Sequence, residues 1–176
     1  MNNIQILSII VPIVTVLTIL AIWSFVGIRH FKMLQSGILQ KWKMLDIKIK
    51  MRHSLIPNLI ETIRKHTLTE DHSGIIESRA KAMREYFPSG KKFEYEYDLT
   101  VEIERILAYG DEHNSIQFNT NFLELRKELT DLYSEMEFLS NEYNAQVRKY
   151  NKDLNLVILR PVAFLFGFKF VNIFDI

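Results

Sequence analysis

No cysteine occurs anywhere in the 176 residues. That absence removes a disulfide scaffold, a thiolate metal site, a cysteine nucleophile and a lipidated N-terminal cysteine. Glycine and proline are scarce, at six and four residues. The glycines are scattered at 27, 37, 74, 90, 110 and 167, so no Gly-rich phosphate loop can be assembled from them. The five histidines (30, 53, 66, 72 and 113) make no H-x-x-x-H or H-E-x-x-H pair, and a turn separates His66 from His72. No serine sits in a nucleophile elbow. Glu102/Glu104 and Glu135/Glu137 are two apart and diverge on a helix, and Glu128/Asp131 share a face that is exposed. The inward Glu with Glu-x-x-His of di-iron bundles is missing as well. The expectation is therefore no catalytic, no cofactor-binding and no metal-ligating residues, and no enzyme. Charge of one sign is also lacking: 22 Lys+Arg against 21 Asp+Glu leave +1, which excludes a strongly basic nucleic-acid binder. The apolar fraction of 48% excludes low-complexity disorder. The length fits one domain, or one small domain with an appendage.

What is present begins with a long apolar run. Residues 1–28 contain no charged side chain, and Ile4 to Ile28 is nearly all aliphatic. Twenty-five helical residues reach roughly 37 Å, more than a hydrocarbon core of about 30 Å. Lipid leaves backbone polar groups no outside partner, so the run is expected to be a transmembrane helix. Pro12 removes one helical bond, which Thr15, Thr18 and water are expected to relieve. A cleaved signal peptide would want a positive start and a small-x-small site, and neither is found. Upstream of the span there is no Lys or Arg, whereas Arg29, Lys32, Lys41, Lys43 and Lys48 follow it. This asymmetry predicts a single-pass protein of the cell membrane, N-terminus outside and C-terminal domain cytoplasmic.

Charge also divides along the chain. Residues 29–66 carry nine Lys/Arg and two acids, +7, and residues 67–176 carry thirteen and nineteen, −6. A basic segment beside the bilayer suits an anionic leaflet, and Arg29, Lys32, Lys41 and Lys43 are the expected headgroup contacts. The same split would also draw the two segments together if they pack.

The remainder reads as an all-α fold, an antiparallel bundle of three to four long helices, with domains at 1–28 (anchor), 29–156 (bundle) and 157–176 (tail). Gly37–His66 carries Trp42, Leu45, Ile49, Ile56, Ile60 and Ile63 at 3/4 spacing. The stripe fails at Arg52 and His53, one turn before Pro57, where a kink is expected. A second helix is expected at Gly74–Tyr86, capped by Ser73 and Glu77, and a third at Asp98–Tyr109, stopped by Gly110. The last is the clearest: Phe118 to Leu154 step by threes and fours, close to a heptad seam. The tail, with Phe164, Phe166, Phe168, Phe170 and Phe174, is too short to cross a bilayer. It should cap the bundle or dip into the membrane interface.

The block from Trp42 through Asp46, Arg52, Leu55-Ile56-Pro57-Asn58-Leu59 to Glu61-Thr62 resembles the hallmark of the LemA family. Tyr143-Asn144 … Val147 … Tyr150-Asn151 is similar to that family's "Y-N-x-x-V-x-x-Y-N" element, and Gly167-Phe168 resembles its closing "G-F". The resemblance implies a single-pass membrane protein with a bundle of long helices and no established enzymatic activity.

Three functions remain open at this stage. The first is a membrane-anchored scaffold that binds lipid headgroups or an unidentified protein partner, with Asp46, Arg52, Pro57, Asn58 and Glu61 as the hot region. The second is a small-ligand sensor or enzyme with a polar pocket at Arg52, His53, Asn58 and Glu61. The third is a homo-oligomeric membrane organiser assembled through the Phe118–Leu154 seam.

Overall fold

The computed structural model describes residues 3–67 and 70–174. Five helices are found among them and no strand: α1 Asn3–Arg64, α2 Ser73–Arg84, α3 Gly90–Glu112, α4 Thr120–Leu154 and α5 Arg160–Leu165. The apolar run and the amphipathic helix after it are one 62-residue helix that passes through both Pro12 and Pro57. Thr15 and Thr18 donate to the Val11 and Val14 carbonyls, at 2.9 and 2.8 Å. They therefore cover their own i−4 carbonyls rather than relieve Pro12 as expected.

α1 and α4 lie antiparallel as the spine, and the α2–α3 hairpin covers one side of their distal half. His30–Asp153, Lys41–Glu142 and Lys48–Glu135 pair across the spine in one register. The basic and acidic segments of the chain thus face each other along the bundle. Two hydrophobic cores are stacked along it. One holds Phe31, Leu34, Trp42, Leu45 and Ile49 of α1 against Met136, Tyr143, Val147 and Tyr150 of α4. The other joins Ile56, Leu59 and Ile63 to Ile75, Leu99, Ile103, Ile106, Phe122 and Leu129. Most of the α4 seam is therefore covered by this chain's own helices, although Phe118 points outward.

Several expected boundaries shift. α3 starts eight residues before the expected Asp98, because Ser89 caps it by accepting from the Lys92 amide (3.1 Å) and the charged residues that follow find buried partners. Gly110 does not end α3 but lies buried inside it, where an added Cβ would sit 2.3 Å from the Phe122 ring. That glycine permits close helix approach. At α2, Ser73 is not the cap. Asp71 accepts from the Ser73 amide and hydroxyl at 2.9 and 2.8 Å, while Glu77 pairs with Lys81.

The tail packs on the bundle, as one of its two expected placements has it, and it does so as a clip. α5 finishes in a Schellman turn: Gly167 takes φ +71°, and the Phe168 amide donates to the Ala163 carbonyl at 3.0 Å. The chain then returns extended along α4. Asn151 exchanges two hydrogen bonds with the Val171 backbone, at 2.7 and 3.0 Å, and Asn144 does the same with Phe174, at 2.7 and 2.7 Å. Two asparagines seven apart on a helix share a face, so their amides act as a short mimic of a neighbouring strand. Phe174 is thereby buried among Trp42 and Phe93.

Candidate functional site

Between the two cores lies a polar layer. Helical spacing carries the α1 stripe from Ile49 through Arg52 and His53 to Ile56, so these two polar residues must point inward. On α3, Lys92, Glu96 and Thr100 occupy one i, i+4, i+8 face and meet them. Arg52 and Glu96 are 2% and 1% exposed. One Arg52 nitrogen, Nη2, lies 2.6 Å from Glu96 Oε2, and the other, Nη1, donates to Thr100 Oγ1 at 2.7 Å. His53 Nε2 is 3.0 Å from the same carboxylate oxygen, and Lys92 Nζ lies 2.7 Å from the other. The Lys92 ammonium also donates to the Ala82 carbonyl (2.7 Å) in the last turn of α2.

Two full cations and a histidine thus surround one carboxylate. Burial pushes the Glu96 carboxyl up, but the His53 hydrogen bond and the charges of Arg52, His53 and Lys92 outweigh it and hold it at about 2. Burial lowers Arg52, against the opposing pull of Glu96. A guanidinium starts so high that Arg52 stays cationic. Chemically the layer is an internal tether of α1, α2 and α3, in which Arg52 Nε is buried without a hydrogen-bond partner among the described residues. Burying such a group fixes which helices meet and in which register, because a slip would strand a charge in the interior.

One turn further, Pro57 has no N–H to give to the His53 carbonyl, its i−4 partner. Arg79 of α2 supplies the donor instead, its Nε at 2.8 Å from that oxygen. α1 runs on through the proline, and the lost helical bond becomes a tie between helices.

The residues expected at a hot region are divided by this geometry. Arg52 and His53 point into the bundle, while Pro57, Asn58 and Glu61 are exposed. Asp46 pairs with Lys50 at 2.6 Å, and Glu61 with Lys65 at 2.7 Å. Asn58 and Glu61 instead border a separate open groove of about 290 Å³ between α1 and α4, with Thr62, Asn121, Glu124 and Glu128. Arg52, His53, Asn58 and Glu61 therefore do not converge on a single pocket.

Of the expected headgroup contacts, Arg29, Lys32 and Lys43 are exposed, and Lys41 is paired with Glu142. Helical rise puts Lys41 and Lys43 roughly 20 Å beyond Ile28 along α1. Sequence reasoning missed Lys92, Glu96, Thr100 and Arg79, and met Asn144 and Asn151 only as members of a family-like motif. The signal for the first three was the i, i+4, i+8 polar face of α3. For Arg79 it was any proline in a helix, which obliges a substitute donor.

The sequence profile of the LemA family matches residues 41–176, the bundle from Lys41 of α1 onward together with the clipped tail. Comparison with curated proteins gave no match. The matched region begins one residue before Trp42 and takes in the polar layer, both clip asparagines and the Schellman turn.

Proposed function

The chain belongs to the LemA family, and from that premise we propose that it is a single-pass membrane scaffold that acts by binding rather than by catalysis. One observation carries this reading. The apolar stretch of α1 reaches a mean hydropathy of 2.3 over 18 residues, with 6% of them buried, and continues without a break into the spine of the bundle. Among the described residues little covers that stretch beyond α5 at Gly27, which suits lipid as its surroundings. From Ile28 to Arg64 the same helix extends about 54 Å further, so the bundle rises directly from the inner end of the span along a continuous helix, its first core residues at Phe31 and Leu34. Positive flanking charge directs the bundle to the cytoplasm. Arg29 and Lys32 lie close enough to meet anionic headgroups, at about 1 kcal/mol each. Lys41 and Lys43 are beyond the Debye length of about 8–10 Å, and Lys41 pairs with Glu142 within the bundle instead.

The buried polar layer supports binding over chemistry, because each of its charges faces a partner of this chain. The outward groove at Asn58 and Glu61 is the surface offered to a protein partner. The test is alkaline extraction of membranes holding the full chain, followed by photocrosslinking from position 58 in those membranes. The protein stays with the pellet and captures a discrete partner if the reading is right. Recovery in the soluble fraction without detergent refutes the anchor, and turnover of a small molecule dependent on Glu96 refutes the non-catalytic role.

A further inference from the structure

We propose that the turn and short helix following α4, Leu156 to Phe166, form a second membrane contact that dips into the lipid interface beside α1. This rests on reading α1 as a membrane anchor. The level of the segment comes from the spine register. Between His30–Asp153 and Lys41–Glu142, and again between Lys41–Glu142 and Lys48–Glu135, a step along α1 is matched by an equal step back along α4. Followed to Leu154, the end of α4, that register brings the helix level with Arg29, so the turn after it begins at the inner end of the apolar run. A separate contact agrees: a Cβ added at Gly27 would lie 3.0 Å from Val162 of α5. The glycine lets α5 lie flush on α1 at the inner end of the span.

The side chains are divided as an interfacial segment requires. Val162 and Ala163 are buried against the bundle, while Val157 and Phe164 are each 86% exposed, and Ile158 and Leu165 70% or more. Elsewhere α4 shows the solvent a charged face, with Glu124, Arg126, Lys127, Glu128, Asp131, Glu135 and Glu137 all exposed. Residues 155–174 include no acid, only Arg160 and Lys169, and the nearest acid before them, Asp153, is held by His30 at 2.8 Å. Apolar side chains with cationic neighbours and no anion fit an anionic lipid interface, where such segments sink about 5–10 Å. A protein covering this face would itself have to sit at the level of the span, so the occupant is lipid. The clip at Asn144 and Asn151 then has a purpose here: it holds both ends of the knuckle, which enters the membrane already folded.

The native lack of cysteine makes the test direct. Val157→Cys and Phe164→Cys are labelled with an environment-sensitive fluorophore in the full chain, reconstituted in phosphatidylcholine–phosphatidylglycerol vesicles. Leu17→Cys serves as the deep reference and Lys127→Cys as the aqueous one. The expected result is that probes at 157 and 164 lose most of their emission to lipids carrying a shallow nitroxide and little to iodide. The probe at 17 responds to a deep nitroxide, and that at 127 to iodide alone. Iodide quenching at 157 and 164, with lipid quenching retained at 17, overturns the contact but leaves the anchor standing. Shielding of 157 and 164 from both quenchers means that a second copy covers the face, and also overturns it. Absence of lipid quenching at 17 defeats the anchor and this inference together.

Discussion

The coupling between Pro57 and Arg79 can be isolated with a double-mutant cycle. In the native chain the His53 carbonyl has no helical donor, and Arg79 Nε fills the position at 2.8 Å. Arg79→Ala removes that donor from a partly buried acceptor, which costs about 1–3 kcal/mol. Pro57→Ala restores the backbone N–H and relieves the ring, recovering part of the roughly 3 kcal/mol by which proline disfavours a helix interior. Some of that gain is returned, because the proline also restricts the unfolded chain by about 0.4–1 kcal/mol. In the Pro57→Ala background the His53 oxygen no longer needs the guanidinium, so Arg79→Ala should cost about 1 kcal/mol less than it does in the native chain. The assay is urea unfolding of the full chain in detergent micelles, followed by helical circular dichroism for all four proteins. If Arg79→Ala is equally costly in both backgrounds, within the ~0.3–0.5 kcal/mol at which independent sites add, the substitute-donor argument is wrong.

Acid should loosen the polar layer. Glu96 is held at about 2 against an ordinary 4.5, and a depressed carboxylate contributes stability that is complete above the higher value and lost as pH falls to the lower. The loss between pH 4.5 and 2 should be about 3 kcal/mol, read from urea midpoints, and Glu96→Gln should flatten that pH dependence while destabilising the protein at pH 7 by about 3–5 kcal/mol. Asn144→Ala and Asn151→Ala each delete two hydrogen bonds to the tail and should cost about 1–3 kcal/mol, with amide exchange accelerating at Phe174 and Val171 respectively. Unchanged exchange there would refute the clip. Gly110→Ala gains about 1 kcal/mol in helix propensity but drives a methyl into the buried Phe122 ring, and overpacking of that kind costs about 1–3 kcal/mol. The net effect should be a lowered Tm; a raised one would mean that the ring moves freely.

Much of the architecture was legible because it depends on local periodicity. The apolar run, the α1 stripe and the α4 seam are one-dimensional patterns; the seam became α4 within two residues of its expected limits, whereas the first two fused into one helix and their inner limits at Ile28 and Gly37 vanished. The interruption of the stripe at Arg52 and His53 was visible too, but its meaning was not. Glu96 lies 43 residues away from His53 in a segment mixing Lys, Glu, Tyr and Phe, and no local pattern says that these charges are buried. The polar side chains that look alike on paper, Arg52 and Glu61, part company because helical phase sends one to the core and the other to water.

By itself the sequence determined that this chain carries one span-length apolar helix, that the rest is helical, and that it has the motifs of its family, since all three are written in residue order and spacing. Tertiary structure decided what those motifs do. Asparagines 144 and 151 became a clip only when Gly167 turned the chain back upon them, and Pro57 became a joint only when Arg79 arrived from α2. The physical reason is the same in each case. A hydrogen-bonding group must be satisfied once it leaves water, and which partner satisfies it is settled by packing between segments far apart in sequence.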